Sequence, residues 1–245
     1  MYPAATLMPN IMPQNMSRDR IHLSPDGRWL FGVNSFRGPA LDLYGIDSGQ
    51  LVRRLTPEGL QGDWWPSGVW SGNRFYLYAH DANGMGRLWT VSPESTQLGP
   101  GETIAPFGSV SGCSNQSSRG IAASGGALFI YEEFGFKVDR RNACKGRVPG
   151  GAWRIDPAKG MQAKRIAPDR HFSALFTNLA GSELYGLCAE SPNWNLPAEL
   201  VRMDPSDGRI LQSRQLDPGF WRVAMAPLRV VPSGDLYPSD FIGMR

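Results

Sequence analysis

An all-β fold assembled from repeated four-stranded antiparallel sheets is what this sequence predicts, and three observations predict it. A degenerate unit recurs at a period of roughly 50 residues, the spacing of stacked supersecondary repeats. Each copy starts at a small polar turn that runs into a short aromatic or aliphatic strand, and later strands end at Asp-Pro or Asp-Ser-Gly. The chain carries 29 Gly and 20 Pro in 245 residues, with 11% aromatic side chains. No long stretch has the three-and-four apolar spacing of an amphipathic helix, so the punctuation reads as turns between strands. Sheets of this kind bury their faces only against their neighbours, which is the requirement of a radial array, a β-propeller.

The first copy, about 20–57, opens on Ser24-Pro25-Asp26-Gly27 before Arg28 to Val33, then continues Leu41 to Ile46, Asp47-Ser48-Gly49 and Gln50 to Val52. The second, 58–104, has Ser71-Gly72-Asn73 before Arg74 to Tyr78, then Gly86 to Val91 and a final strand expected near Thr96 to Leu98. The third, 105–168, has Ser124-Gly125-Gly126 before Ala127 to Tyr131, an insertion over 134–150, then Gly151 to Asp156 and Met161 to Ile166. The fourth, 169–218, has Ala180-Gly181-Ser182 before Glu183 to Leu187, then Glu199 to Asp204 and Pro205-Ser206-Asp207-Gly208 before Arg209 to Leu211. In each, Gly, Asp, Ser and Pro supply the positive or preset φ that tight hairpins demand.

A fifth copy, 219–245, shows only its first strands, about Val223 to Val231 and Leu236 to Phe241. Two completions stay open. In the preferred one, residues 1–19, around Ala4 to Met12, add a strand that covers the exposed edge and closes a five-bladed propeller. In the other, the chain is a fragment of a six- to eight-bladed protein. Single all-β domains of this length are common, so one domain over 1–245 is expected.

The motif Ser24-Pro25-Asp26-Gly27-Arg28, with Asp47-Ser48-Gly49-Gln50-Leu51, resembles the repeats of YVTN and TolB-like propellers, which are WD40-like, and of amine dehydrogenase heavy subunits. This resemblance spans most of the chain. It implies the fold and not a reaction, because propellers host lectins, hydrolases and scaffolds alike. Phe172 to Phe176 before Leu184-Tyr185, and Phe220-Trp221 before Leu236-Tyr237, are similar to tachylectin-2-type five-bladed lectins over two blades.

Residues 1–20 have no basic leader and are interrupted by Pro, so neither a signal peptide nor a transmembrane span is expected. Cys113 and Cys144 flank the inner strands of the third copy and are candidates for a disulfide across its insertion; pairing would favour a periplasmic or extracellular setting. Cys188 sits inside a strand and reads as a small buried hydrophobe. No Cys-x-x-Cys is present, which argues against a thiolate zinc site. The net charge is +3, with both signs interspersed. The basic run Lys137, Arg140, Arg141, Lys145 and Arg147 has no interleaved stacking aromatics, so nucleic acid is not expected as a partner.

Propeller topology places the candidate site. The loop after each second strand and the connection leading into each blade open on one face. The first kind contributes His80, Asp81, Glu132, Glu190 and Trp194; the second contributes Trp64, Trp65, His171, Trp221 and Arg222. Indole faces stack on sugar rings or peptide side chains while carboxylates and amides fix hydroxyls or amines. Trp29, Trp89 and Trp153 are expected to pack between blades. The expected function is recognition of a protein or a glycan, without a cofactor.

Catalysis is the weaker reading. No Gly-x-Ser-x-Gly elbow accompanies His22, His80 or His171. Turns such as Arg202-Met203-Asp204-Pro205 resemble those of lactonase-type propellers, and that resemblance implies calcium or another divalent ion held by oxygen ligands, here Asn34, Asp81, Glu132 and Glu190. The positions of these four do not match from blade to blade, and the Glu-Gly-Pro metal motif of that family is missing. Resemblance to amine dehydrogenase heavy subunits instead implies a scaffold that holds a redox partner.

Overall fold

The computed structural model describes residues 21–34, 40–58, 67–80, 86–104, 119–132, 151–170, 172–178, 180–188, 199–216, 228–230 and 236–238. Their elements form four four-stranded antiparallel sheets and one hairpin. Blade 1 comprises β1 (Ile21–Leu23), β2 (Trp29–Asn34), β3 (Ala40–Gly45) and β4 (Leu51–Leu55). Blade 2 comprises β5 (Ser67–Ser71), β6 (Arg74–His80), β7 (Gly86–Val91) and β8 (Glu102–Ile104). Blade 3 is β9 (Arg119–Ser124), β10 (Ala127–Glu132), β11 (Ala152–Ile155) and β12 (Ala163–Ile166); blade 4 is β13 (Phe172–Thr177), β14 (Leu184–Cys188), β15 (Glu199–Met203) and β16 (Ile210–Gln215). The hairpin pairs β17 (Leu228–Val230) with β18 (Leu236–Pro238), inside the two segments expected to open a fifth copy. The only helix among the described residues is a single 3-10 turn, Pro157–Lys159, started by the Asp156 side chain.

Every sheet pairs its strands in chain order, so each is an up-and-down meander. The chain divides into two compact units, 1–106 with blades 1 and 2, and 107–245 with blades 3 and 4 and the hairpin.

In the first unit, alternate residues of each strand point into the seam between the two blades. Phe31 and Val33 of β2, Leu41 and Leu43 of β3, and Leu55 of β4 meet Phe75, Leu77 and Ala79 of β6, Trp89 and Val91 of β7, and Leu98. That spacing of two is what a half-pleated strand with one face in the core requires. His22, in β1, packs its ring against Phe75 with centroids 5.0 Å apart. Trp29 packs on this core from its edge and Trp89 lies within it, both as expected for inter-blade aromatics; Trp153, in β11, is half-buried.

The second unit repeats the design. Ala122, Ala127, Phe129, Ala152 and Ile166 of blade 3 meet Phe172, Leu175, Leu184, Cys188, Val201 and Met203 of blade 4. Cys188 is a free, buried thiol, the small hydrophobe expected.

The turns at one end of each blade are closed by their own hydrogen bonds. In the Ser-Pro-Asp-Gly turn, Gly27 N–H donates to Ser24 O at 2.9 Å, Arg28 N–H to the Asp26 carboxylate at 3.1 Å and Trp29 N–H to Ser24 Oγ at 2.9 Å. Hydrogen bonds from Ser24 Oγ and Arg28 N–H hold the exposed Asp26 carboxyl below the usual range. The third-to-fourth strand turns of blades 1 and 4 are the same object. Gly45 N–H donates to Gln50 O and Gly49 N–H to Gly45 O; Asp204 N–H donates to Arg209 O and Gly208 N–H to Asp204 O. Beyond each turn the register slips, leaving Val52 and Leu211 as extra residues, both about half exposed.

Arginines reach from one blade to such turns in the next. Arg53 Nη1 donates to Pro93 O at 3.1 Å and Ser95 O at 2.6 Å, and Arg154 Nε donates to Pro205 O at 2.8 Å. Gly208 sits in this second seam at φ +79, and a Cβ there would stand 2.5 Å from Ile166 Cβ. Gly208→Ala combines a left-handed backbone with a clash, so a loss of about 1–3 kcal/mol is expected in urea unfolding.

The fourth strand of blade 2 corrects the sequence reading. It lies at Glu102–Ile104 rather than Thr96 to Leu98. Leu98 instead turns inward to the core and makes a single parallel bridge to Pro57. Trp89 Nε1 donates to Gly99 O at 2.8 Å, and Gly101 at φ +69 lies against the Trp89 ring, so the segment must pass the indole before it can pair.

Candidate functional site

The antiparallel registers fix which loops share an end. In blade 1, Asn34 lies opposite Ala40 and Leu41 opposite Leu55, so the β2–β3 loop and the chain leaving β4 emerge together. In blade 2, Ser67 lies opposite Tyr78 and His80 opposite Gly86, which puts the start of β5 at the same end as the β6–β7 loop. Blade 3 sets Glu132 opposite Arg119, and blade 4 sets Phe172 opposite Cys188 and Cys188 opposite Glu199. In every blade this loop end is opposite the closed turns.

Two of the expected contacts are placed by this: His80 and Glu132 are the last residues of β6 and β10, at the loop ends of blades 2 and 3. Trp64, Trp65, Asp81, His171, Glu190, Trp194, Trp221 and Arg222 lie outside the described residues, as do Cys113 and Cys144. Among the described residues, no group of three His, Cys, Asp or Glu side chains comes together. No described helix is long and apolar enough to cross a membrane.

The structure adds two charged pairs close to the loop ends. In blade 1, Asp42 of β3 is completely buried and takes a two-pronged contact from Arg54 of β4, with Nε at 2.6 Å and Nη2 at 2.8 Å. Fork-to-carboxylate geometry of this kind is the strong form of a charge-assisted bond. The hydrogen bonds it donates to Asp42 raise the Arg54 guanidinium above its ordinary value, and burial, reinforced by the Asp42 charge, raises the neighbouring Tyr44 phenol. The turn alone would set residue 42 opposite 53; the extra residue Val52 moves the register by one and brings Arg54 across from Asp42.

In blade 4, Arg170, in the connection leading into β13, pairs with Glu199, the first residue of β15. Its Nε is buried without a hydrogen-bond partner among the described residues and stands 3.9 Å from an Asp169 carboxylate oxygen. Cys188 lies across the strand from Glu199, and burial, with the Glu199 charge adding to it, pushes its thiol up to about 12. Nothing in the local sequence marks this pair, because its partners stand at opposite ends of a stretch that holds both β13 and β14.

No protein-family model matches the chain, and no curated protein sequence does. Solved structures do match, and they define the class: this is a β-propeller fold. The chain is similar to Kuenenia stuttgartiensis hydrazine synthase at 15% identity and TM-score 0.52, covering 84% of this chain and 51% of that one. It is similar to TolB from Acinetobacter baumannii at 17% identity and TM-score 0.51, covering 91% and 48%. It is also similar to the Dos1 propeller at 12% identity and TM-score 0.53, covering 87% and 50%. The chain thus spans about half the length of the structures it matches. At these identities the likeness carries the fold alone.

Proposed function

We propose that this chain is a non-catalytic binding propeller that recognises a protein or a carbohydrate on the face where the second-to-third strand loops open. One observation supports this above others: in each blade the strand registers bring the second-to-third strand loop to the same end as a connection between blades. Segments 35–39, 81–85, 133–151 and 189–198 connect strands at this end, opposite turns such as 24–29 and 204–209. Those segments and the connections into each blade carry Trp64, Trp65, Trp194 and Trp221 with Asp81, His171, Glu190 and Arg222, and His80 and Glu132 border them. Aromatic faces beside a few directed polar groups suit ligand capture. In this reading the blades are TolB-like, and β17–β18 begins a fifth. Propellers with names as different as hydrazine synthase and TolB share the fold, so the fold itself argues for no reaction.

The test combines a glycan array with thermal unfolding in calcium and in zinc. Retention of a glycan that Trp64→Ala and Trp65→Ala abolish, with the far-ultraviolet spectrum unchanged, is the expected result. A ligand at 100 times its Kd adds about 2.7 kcal/mol to the native state. A rise in midpoint with either ion, together with hydrolysis of a lactone or ester that Glu132→Gln or Glu190→Gln removes, would overturn the binding reading in favour of a metal-dependent hydrolase.

A further inference from the structure

The seam between blades 3 and 4 is joined at its loop end through one residue. Arg170 accepts a hydrogen bond at its carbonyl from Gly151 N–H, at 2.5 Å, immediately before β11 of blade 3. Its guanidinium pairs with Glu199 at the start of β15 in blade 4, and β13 begins two residues after it. Three strand starts in two blades therefore converge on Arg170. Gly151 has no slack of its own: it holds φ +96, and a Cβ there would lie 2.6 Å from Ile166 O. Glu199 is only 16% exposed on its side chain, in register with Cys188 and, one strand further, Phe172, both in the core the two blades share.

We propose that Arg170 is a positioning residue, which holds the starts of β11, β13 and β15 in one frame and so sets the geometry of the loop face. The proposal rests on the reading of that face as the ligand-binding one. The physical reason is the placement of the charge. A carboxylate left beside buried Phe172 and Cys188 without its guanidinium is uncompensated, so the end of the seam opens locally to rehydrate it. A neutral packing residue at position 170 would keep the backbone bond to Gly151 but lose the anchor on blade 4.

The full-length chain is tested as Arg170→Ala, Glu199→Gln and the reversed pair Arg170→Glu/Glu199→Arg. Native-state iodoacetamide labelling of Cys188, resolved by peptide mass, and amide exchange at Gly151 are the readouts, with exchange at Leu77 in the other unit as the control. Arg170→Ala is expected to speed both by about tenfold, equivalent to roughly 1.4 kcal/mol of local opening, and Glu199→Gln, which loosens the joint without stranding a buried carboxylate, by a smaller factor. The control stays unchanged, and the reversed pair returns both rates to within about twofold of wild type, the signature of two groups acting as one unit. Should Arg170→Ala fail to fold, the isosteric Glu199→Gln carries the same readouts. Unchanged Gly151 exchange in the single variants, or a reversed pair no slower than they are, would overturn the proposal. Glycan-array retention is measured alongside. Accelerated exchange in a chain whose wild type retains no glycan supports the joint while counting against a carbohydrate ligand. Retention unaffected by a tenfold faster Gly151 overturns the claim that the joint positions the binding face.

Discussion

Phe75→Ala is expected to cost about 3–5 kcal/mol of unfolding free energy, the range for truncating a fully buried aromatic ring. Phe75 has no exposure and stacks on Phe31 with centroids 4.9 Å apart and planes within 1°. Trp70 at 5.4 Å and His22 at 5.0 Å tilt against it from other sides. Such ring pairs add about 0.5–1.5 kcal/mol each beyond area burial. The cavity would not close easily, because Gly68 lies directly against the ring and has no side chain to move in; a Cβ there would already collide with it. Chemical denaturation followed by tryptophan fluorescence measures the loss, and thermal unfolding should fall by on the order of 10 °C. Phe75→Leu should recover part of it. A loss under about 1 kcal/mol would mean that the seam between blades 1 and 2 contributes little to stability.

The two halves of the Asp42–Arg54 pair are expected to behave unequally. Arg54→Ala leaves a wholly buried carboxylate without its partner, and breaking a buried pair in that direction costs about 3–5 kcal/mol. Asp42→Ala leaves a guanidinium whose side chain is 50% exposed and can turn to water, so about 1–2 kcal/mol is expected. Replacing both by apolar residues of similar shape should recover most of the stability, because neither charge is then stranded. Urea unfolding of the three variants is the measurement. Equal losses for the two single variants would show that burial of Asp42 does not govern the pair.

Much of the blade architecture is legible in the residues because it is local. Ser24-Pro25-Asp26-Gly27 and Pro205-Ser206-Asp207-Gly208 encode turns whose hydrogen bonds run only among neighbours, and strands such as Phe75 to Ala79 alternate against the seam as their spacing requires. The missed strand in blade 2 shows where local reading stops. Thr96 to Leu98 has the composition of a strand end, but an indole ten residues upstream takes the Gly99 carbonyl, and pairing resumes only at Glu102. The candidate face was legible as a set of loops. The Arg170–Glu199 pair that borders it was not, since two strands, β13 and β14, and the connections around them separate its partners.

The sequence by itself determined that this chain is built of four-stranded blades and where most of their turns fall, because turn chemistry and strand period act over a few neighbouring residues. Only the tertiary structure decided that His22 would pack on Phe75, that Arg53 and Arg154 would reach the turns of the next blade, and that Arg170 would join two blades at Glu199 and Gly151. Those contacts pair groups from different strands and blades. Their partners are selected by register and by which sheet faces meet, neither of which a single stretch of chain encodes.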